Sequence, residues 1–180
     1  HVPPTVVAFA VNTTDVKRVI SPEFKGINSK VVYIPLICDQ YEVPDFEELK
    51  ATFEKVEELI GSGVVLSAST IKCGGLAETV SKMCFGNRLG FAFWNEMDPE
   101  SLFLPDHGSL LLEIDPEVNL KEVMGEITYE IIGHTVKKPV IMVNDTEISI
   151  EEAYAHWTQP LAGIFPVETD PIPGRPNKLE

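Results

Sequence analysis

The 180-residue chain is 44% apolar, enough to build one core and too short for two independent domains of ordinary size. Its 28 acidic residues against 14 basic ones give a formal net charge of −14, which argues against phosphate backbones and anionic membrane surfaces as general partners. No stretch approaches the roughly 18 uninterrupted apolar residues that a bilayer span needs, so neither a nucleic-acid nor a membrane role is expected.

Behind Pro3 and Pro4, Val6–Val11 is a short apolar run whose β-branched content reads as a strand buried on both faces. Asp15–Ile20 leaves room for one or two helical turns before Ser21-Pro22. Ser29–Ile37 returns to strand character, with Pro35 marking an edge or an end. Asp45, three positions ahead of Glu48, forms an acidic capping box, and Phe46, Leu49, Phe53, Val56 and Ile60 then recur at helical spacing up to Gly61. The charges between them, Glu47, Lys50, Glu54, Lys55, Glu57 and Glu58, read as a solvated face.

Val64–Ile71 reads as a strand and Cys73-Gly74-Gly75 as a turn. Leu76, Val80, Met83 and Cys84 then form the apolar stripe of a helix ending at Gly86-Asn87. Leu89–Trp94 is a further strand, and Asp98-Pro99-Glu100 caps a short helix through Leu104. Ser109–Ile114 is strand again, and Asp115-Pro116-Glu117 opens a helix containing Val118 and Val123. From Gly125 the pattern alternates in a hairpin-like way through Ile127–Ile132, Val140–Val143, the turn Asn144-Asp145 and Glu147–Ile150. Ser149 with Glu152 starts a last helix in which Ala153, His156 and Trp157 share a face.

Beyond Pro166, proline, glycine and charge without apolar periodicity read as linker over Val167–Glu180, ending in what looks like a Leu-Glu cloning scar. With no initial Met, the chain is expected to be a segment of a longer protein, with one domain over residues 1–166. Interleaved strands and helices, with antiparallel pairing among the later strands, predict an α+β fold: a mixed sheet covered by helices.

One place has the local structure for ligand binding. Gly74-Gly75 lies between a strand and a helix start, so backbone N–H groups and the positive end of the helix dipole would face an anion there. Two glycines remove the Cβ atoms that would hold a phosphate at a distance. Lys72 adds a point charge, and Ser69 and Thr70 add hydroxyl donors, so these five residues are the candidate substrate-phosphate site. The same residues also fit a tight strand-to-helix turn whose glycines serve close packing. His107, His134 and His156 stand far apart without metal-ligand spacing, no G-x-S-x-G elbow occurs, and no catalytic residue is assigned. The acids from Glu96 to Glu130 read as helix caps and surface. Cys38, Cys73 and Cys84 are odd in number and lack C-x-x-C spacing, which fits a reducing, cytoplasmic setting. At a helix start, Cys73 is either an activated nucleophile or, as expected here, a buried inert thiol.

Lys72-Cys73-Gly74-Gly75-Leu76-Ala77-Glu78, with Ser81-Lys82-Met83-Cys84-Phe85-Gly86-Asn87, resembles the glycine turn and following helix in the C-terminal domain of the aminoimidazole ribonucleotide synthetase superfamily. The run Thr5–Val11, the helix opened by Asp45, the strand after Gly108 and the ending Trp157-Thr158-Gln159-Pro160-Leu161 extend the likeness. Together they resemble the phosphoribosylformylglycinamidine synthases of the large single-chain type, at the second such domain, ahead of the glutaminase. The resemblance implies a domain of a ligase that converts formylglycinamide ribonucleotide to the amidine in purine synthesis, using ATP with Mg and ammonia from glutamine. It also implies that other domains of the same chain are the partners. Where the family carries His-Asp-x-Ser-Asp-Gly-Gly-Leu, this chain has Ser69-Thr70-Ile71-Lys72-Cys73-Gly74-Gly75-Leu76. The glycines are kept, but the histidine and both aspartates are absent. A non-catalytic module packed against a catalytic twin and the glutaminase is the alternative.

Overall fold

The computed structural model describes residues 3–165. Its centre is a seven-stranded sheet in the order β2-β4-β1-β5-β3-β6-β7. The strands are β1 (Lys30–Ile34), β2 (Val65–Thr70), β3 (Gly90–Phe93), β4 (Leu110–Ile114), β5 (Glu130–Val136), β6 (Val140–Val143) and β7 (Thr146–Ser149). Every neighbouring pair is antiparallel except β3 and β6. The sheet is therefore mixed. Four helices cover it: α1 (Phe46–Gly61), α2 (Gly75–Phe85), α3 (Leu120–Val123) and α4 (Ile150–Thr158).

Period-two alternation assigns each strand residue to a face. Val31 and Leu111 join Val80, Met83, Cys84 and Phe85 of α2 and Ile150 of α4 on one side. Val32, Ile34, Leu112 and Ile114 join Val56 and Leu59 of α1 and Leu120 of α3 on the other. The core is thus two apolar layers with the central strands β1 and β4 between them.

The Asp45 cap forms as its spacing predicts, its side chain accepting from the N–H groups of Glu47 and Glu48 at 3.1 Å each. The face α1 buries, however, is carried by Thr52, Val56 and Leu59, while Phe46 and Phe53 remain exposed. The short helix after Asp98 is a 3-10 turn, Ser101–Phe103, and Asp15–Ile20 likewise holds only a 3-10 turn at Val16–Arg18. Asp115 caps a turn by accepting from Glu117 N–H, and the helix itself starts five residues later.

Two expectations are corrected. Val6–Val11 is no buried strand: Val6, Val7, Phe9 and Val11 are 66–96% exposed, because no strand of the described residues pairs with the segment. The expected hairpin succession fails between β5 and β6, since β3 lies between them and pairs with both. The turn at Lys138–Val140 carries the chain across the end of β3, and Gly90 permits it. A Cβ there would fall inside the backbone oxygens of Lys138 and Val140. Among the described residues only β6 and β7 make a true hairpin, through Asn144 in the left-handed region at φ 50°. Val167–Glu180, expected as linker, lies outside the described residues.

Candidate functional site

The strand–glycine turn–helix passage forms where expected, with β2 ending at Thr70 and α2 starting at Gly75 behind an N-cap at Gly74. Its amides, however, are partly taken by the chain itself. Gly74 N–H donates to Glu78 Oε2 at 2.9 Å, and Gly75 N–H donates to the Lys72 carbonyl at 3.1 Å. Glu78 in turn pairs with Lys82. That pairing first, then the Gly74 amide and the nearby Lys72 charge, hold the Glu78 carboxyl below the usual carboxylate range. A carboxylate therefore occupies the anion position that the sequence leaves for a phosphate, and the expectation of a bare Gly74 amide is corrected on that point.

Gly75 has a different task. Its φ is 63°, and a Cβ would stand 2.5 Å from the Leu102 carbonyl oxygen and 2.6 Å from that of Leu104. The Ser101–Phe103 turn thus packs directly on the start of α2, with Leu102 buried beneath it.

The five candidate residues do not converge on one cavity. Ser69 and Thr70 line a pocket of about 330 Å³ against α1, facing Phe53 and Arg18. Gly74 lines a larger, mainly apolar groove of about 580 Å³ bounded by α2, β6, β7 and Trp157 of α4. Lys72 is exposed at the turn between them.

A third cavity, of about 340 Å³, carries the polar side chains that sequence reasoning passed over. Tyr33 Oη donates to Asp106 Oδ2 and Ser109 Oγ to Asp106 Oδ1, each at 2.7 Å, while Ser109 Oγ accepts from Leu36 N–H at 2.8 Å. Burial, then the hydrogen bond to Asp106, push the Tyr33 hydroxyl up to about 12. Glu113, in the acidic stretch explained for the most part by helix caps and surface, is fully buried. Its carboxylate accepts from Lys25 N–H at 2.8 Å, Gly26 N–H at 2.8 Å and Ser67 Oγ at 2.7 Å, tying the loop after Phe24 to the sheet. The available signal was an acid inside the otherwise apolar run Leu110–Ile114.

The cysteines also differ from expectation. Cys84 is buried and burial pushes its thiol up to about 12, but Cys38 and Cys73 are exposed. Cys73 Sγ lies 3.6 Å from His107 Nε2, because the turn at residues 105–108 folds back on Lys72, whose carbonyl accepts from Asp106 N–H at 3.4 Å. His134 Nδ1 accepts from Trp94 Nε1–H at 2.6 Å, and His156 is exposed. No group of three or more metal-ligating side chains gathers among the described residues, and no helix there is long and apolar enough to cross a membrane.

No protein-family profile matches the chain. Among solved structures, phosphoribosylformylglycinamidine synthase II from Thermotoga maritima matches with a TM-score of 0.59 and 15% identity, over 92% of this chain and 30% of that one. PurL of T. maritima complexed with FGAR matches with a TM-score of 0.61 and 15% identity, over 92% of this chain and 32% of that one. The HypE–HypF complex matches with a TM-score of 0.50 and 19% identity, over 68% of this chain and 52% of that one. This chain spans about 30% of the synthase's length. The fold is α+β, a mixed sheet covered by helices, and the synthase structures share it.

Proposed function

We propose that this chain is one domain of a larger ATP-dependent ligase that converts formylglycinamide ribonucleotide to its amidine with ammonia from glutamine. The observation that carries the reading is the fold match over 92% of the chain to PurL, a protein solved in complex with FGAR and with ATP. The glycine turn supports it, standing between β2 and α2 as in the sequence pattern of the superfamily. ATP and Mg then belong to the parent enzyme, and the partners of this domain are other domains of the same chain. The decisive assay is formylglycinamide ribonucleotide- and glutamine-dependent ADP release by the full-length parent. The expected result is turnover by the parent and none by residues 1–180 alone. A parent that releases no ADP with these substrates would sink the reading.

Within such a ligase two roles are open to Lys72, Gly74, Gly75, Thr70 and Ser69: holding the substrate's phosphate, or packing. The Glu78 carboxylate on the Gly74 amide favours packing, because a phosphate would have to displace a charge-assisted hydrogen bond before entering. The same parent assay separates the roles. Lys72→Ala and Gly74→Ala should leave the Michaelis constant for the ribonucleotide within about twofold of wild type, whereas loss of a charged phosphate contact worth about 1.5–3 kcal/mol would raise it at least tenfold.

A further inference from the structure

The Cys73–His107 pair lies outside everything assigned above. Both side chains are exposed, 34 positions apart in sequence, and brought to 3.6 Å by the fold. The contact is held from the backbone, since the Lys72 carbonyl accepts from both Gly75 N–H and Asp106 N–H and so fixes the two turns against each other. The residues on either side are restrained as well: Gly75 is locked against the Ser101–Phe103 turn, and the Asp106 side chain is fastened to Tyr33 and Ser109. A thiol beside an imidazole nitrogen is the arrangement in which the base removes the thiol proton as sulfur attacks. The neighbouring charges are Lys72 on one side and, on the other, Glu78, whose carboxylate is already engaged by Gly74 N–H and Lys82.

We propose that Cys73 and His107 form a thiol–imidazole dyad that makes Cys73 the chain's site of mixed-disulfide formation with low-molecular-weight disulfides. In the exchange the Cys73 proton passes to His107 Nε2 and Cys73 Sγ attacks one sulfur of the incoming disulfide. The old S–S bond breaks, the new Cys73 S–S bond forms, and the other half leaves as a thiolate that recovers the proton from the imidazolium or from water. The incoming disulfide is the oxidant: the Cys73 sulfur rises to the disulfide level as the departing sulfur is reduced to a thiolate. No further oxidant enters. The adduct sits beside Gly74, at the rim of the apolar groove bounded by α2 and α4.

The chain carries its own controls. Cys38 is exposed and has no such contact with a histidine among the described residues, and Cys84 is buried. The experiment exposes the full 180-residue chain to glutathione disulfide at pH 7 and follows each cysteine by peptide mass mapping. Reversal by dithiothreitol identifies the mixed disulfide. Cys73 should react at least about threefold faster than Cys38, His107→Gln should remove that advantage, and Cys84 should stay unmodified while the chain is folded. His107 is exposed, so the substitution leaves the core untouched and an unchanged melting temperature verifies this. Equal rates at Cys73 and Cys38 in the unmutated chain, or an advantage that survives in His107→Gln, would overturn the proposal.

Discussion

At Gly75 two constraints coincide: a left-handed backbone, φ 63°, and carbonyl oxygens of the Ser101–Phe103 turn where a Cβ would stand. Neither can relax cheaply, because the oxygens belong to backbone and the turn is anchored by buried Leu102. At Gly74 the φ is −91°, and an added Cβ meets Glu78 alone: the carboxylate oxygen at 2.5 Å can swing away, but Glu78 Cβ at 2.6 Å is fixed to the helix, so the first turn of α2 has to shift. Gly75→Ala should therefore cost about 3 kcal/mol or more, while Gly74→Ala, which carries no left-handed strain and meets no distant backbone, should cost about 1–2 kcal/mol. Chemical denaturation of the two variants side by side measures this. Similar losses at both positions would mean that the turn is held by something other than the packing of residues 101–104. The sequence shows two adjacent glycines as equals. Their difference lies in which backbone comes back to touch them, some 27 residues later in the chain, and no local pattern records that.

Among the elements, those closed by local chemistry were the most legible. Asp45 caps α1 and Ser149 caps α4 through side-chain-to-amide hydrogen bonds made within three residues, so the relevant atoms are neighbours in sequence as well as in space. Phe53, by contrast, has the spacing of a core residue and stays exposed, because Thr52, Val56 and Leu59 are the residues α1 turns toward the sheet. The β5–β3–β6 order was illegible for a related reason: alternation marks a strand but not its partner, and β3 comes from 40 residues earlier. The start of α2 makes its own prediction. Glu78 reaches back to the Gly74 amide from four residues on, one place beyond the capping-box position held here by Ala77, and satisfies a donor that the N-cap glycine leaves open. Its folded carboxyl lies below the ordinary range, with Lys82 as the main cause. A depressed folded-state value means that the contribution is complete above the unfolded value of about 4.5 and is lost as pH falls through the folded one. The stability advantage of wild type over Glu78→Gln should be roughly 0.5–1 kcal/mol at pH 6 and should shrink progressively as pH falls below about 4.5. Taking the difference between the two proteins cancels the other carboxylates that titrate in the same window. A constant advantage from pH 6 to pH 3 would show that the Glu78 charge does not cap the helix.

For the molecule as a whole, the two-layer core begins at Ile20 and Phe24, which pack against opposite faces of the sheet. The described residues before them belong to neither layer. Val6, Val7, Phe9 and Val11 have the composition of a core strand and 66–96% exposure, so they add almost nothing to the burial that stabilises this domain. Composition alone marked the segment for burial, and the structure leaves it exposed. A run this apolar in an extended conformation also offers unpaired backbone N–H and C=O groups along its length, the feature that makes exposed edges associate. Arg18 pairs with Glu57 of α1, and residues up to Asn12 can be removed without touching that pair. Deleting residues 1–12 should change the melting temperature of the 180-residue chain by less than about 2 °C, under 1 kcal/mol for a domain of this size. The same deletion should reduce concentration-dependent association, seen as a smaller light-scattering mass at high protein concentration. A fall of 5 °C or more would place the segment in the core after all, and would require that Val6–Val11 pack against the sheet in solution.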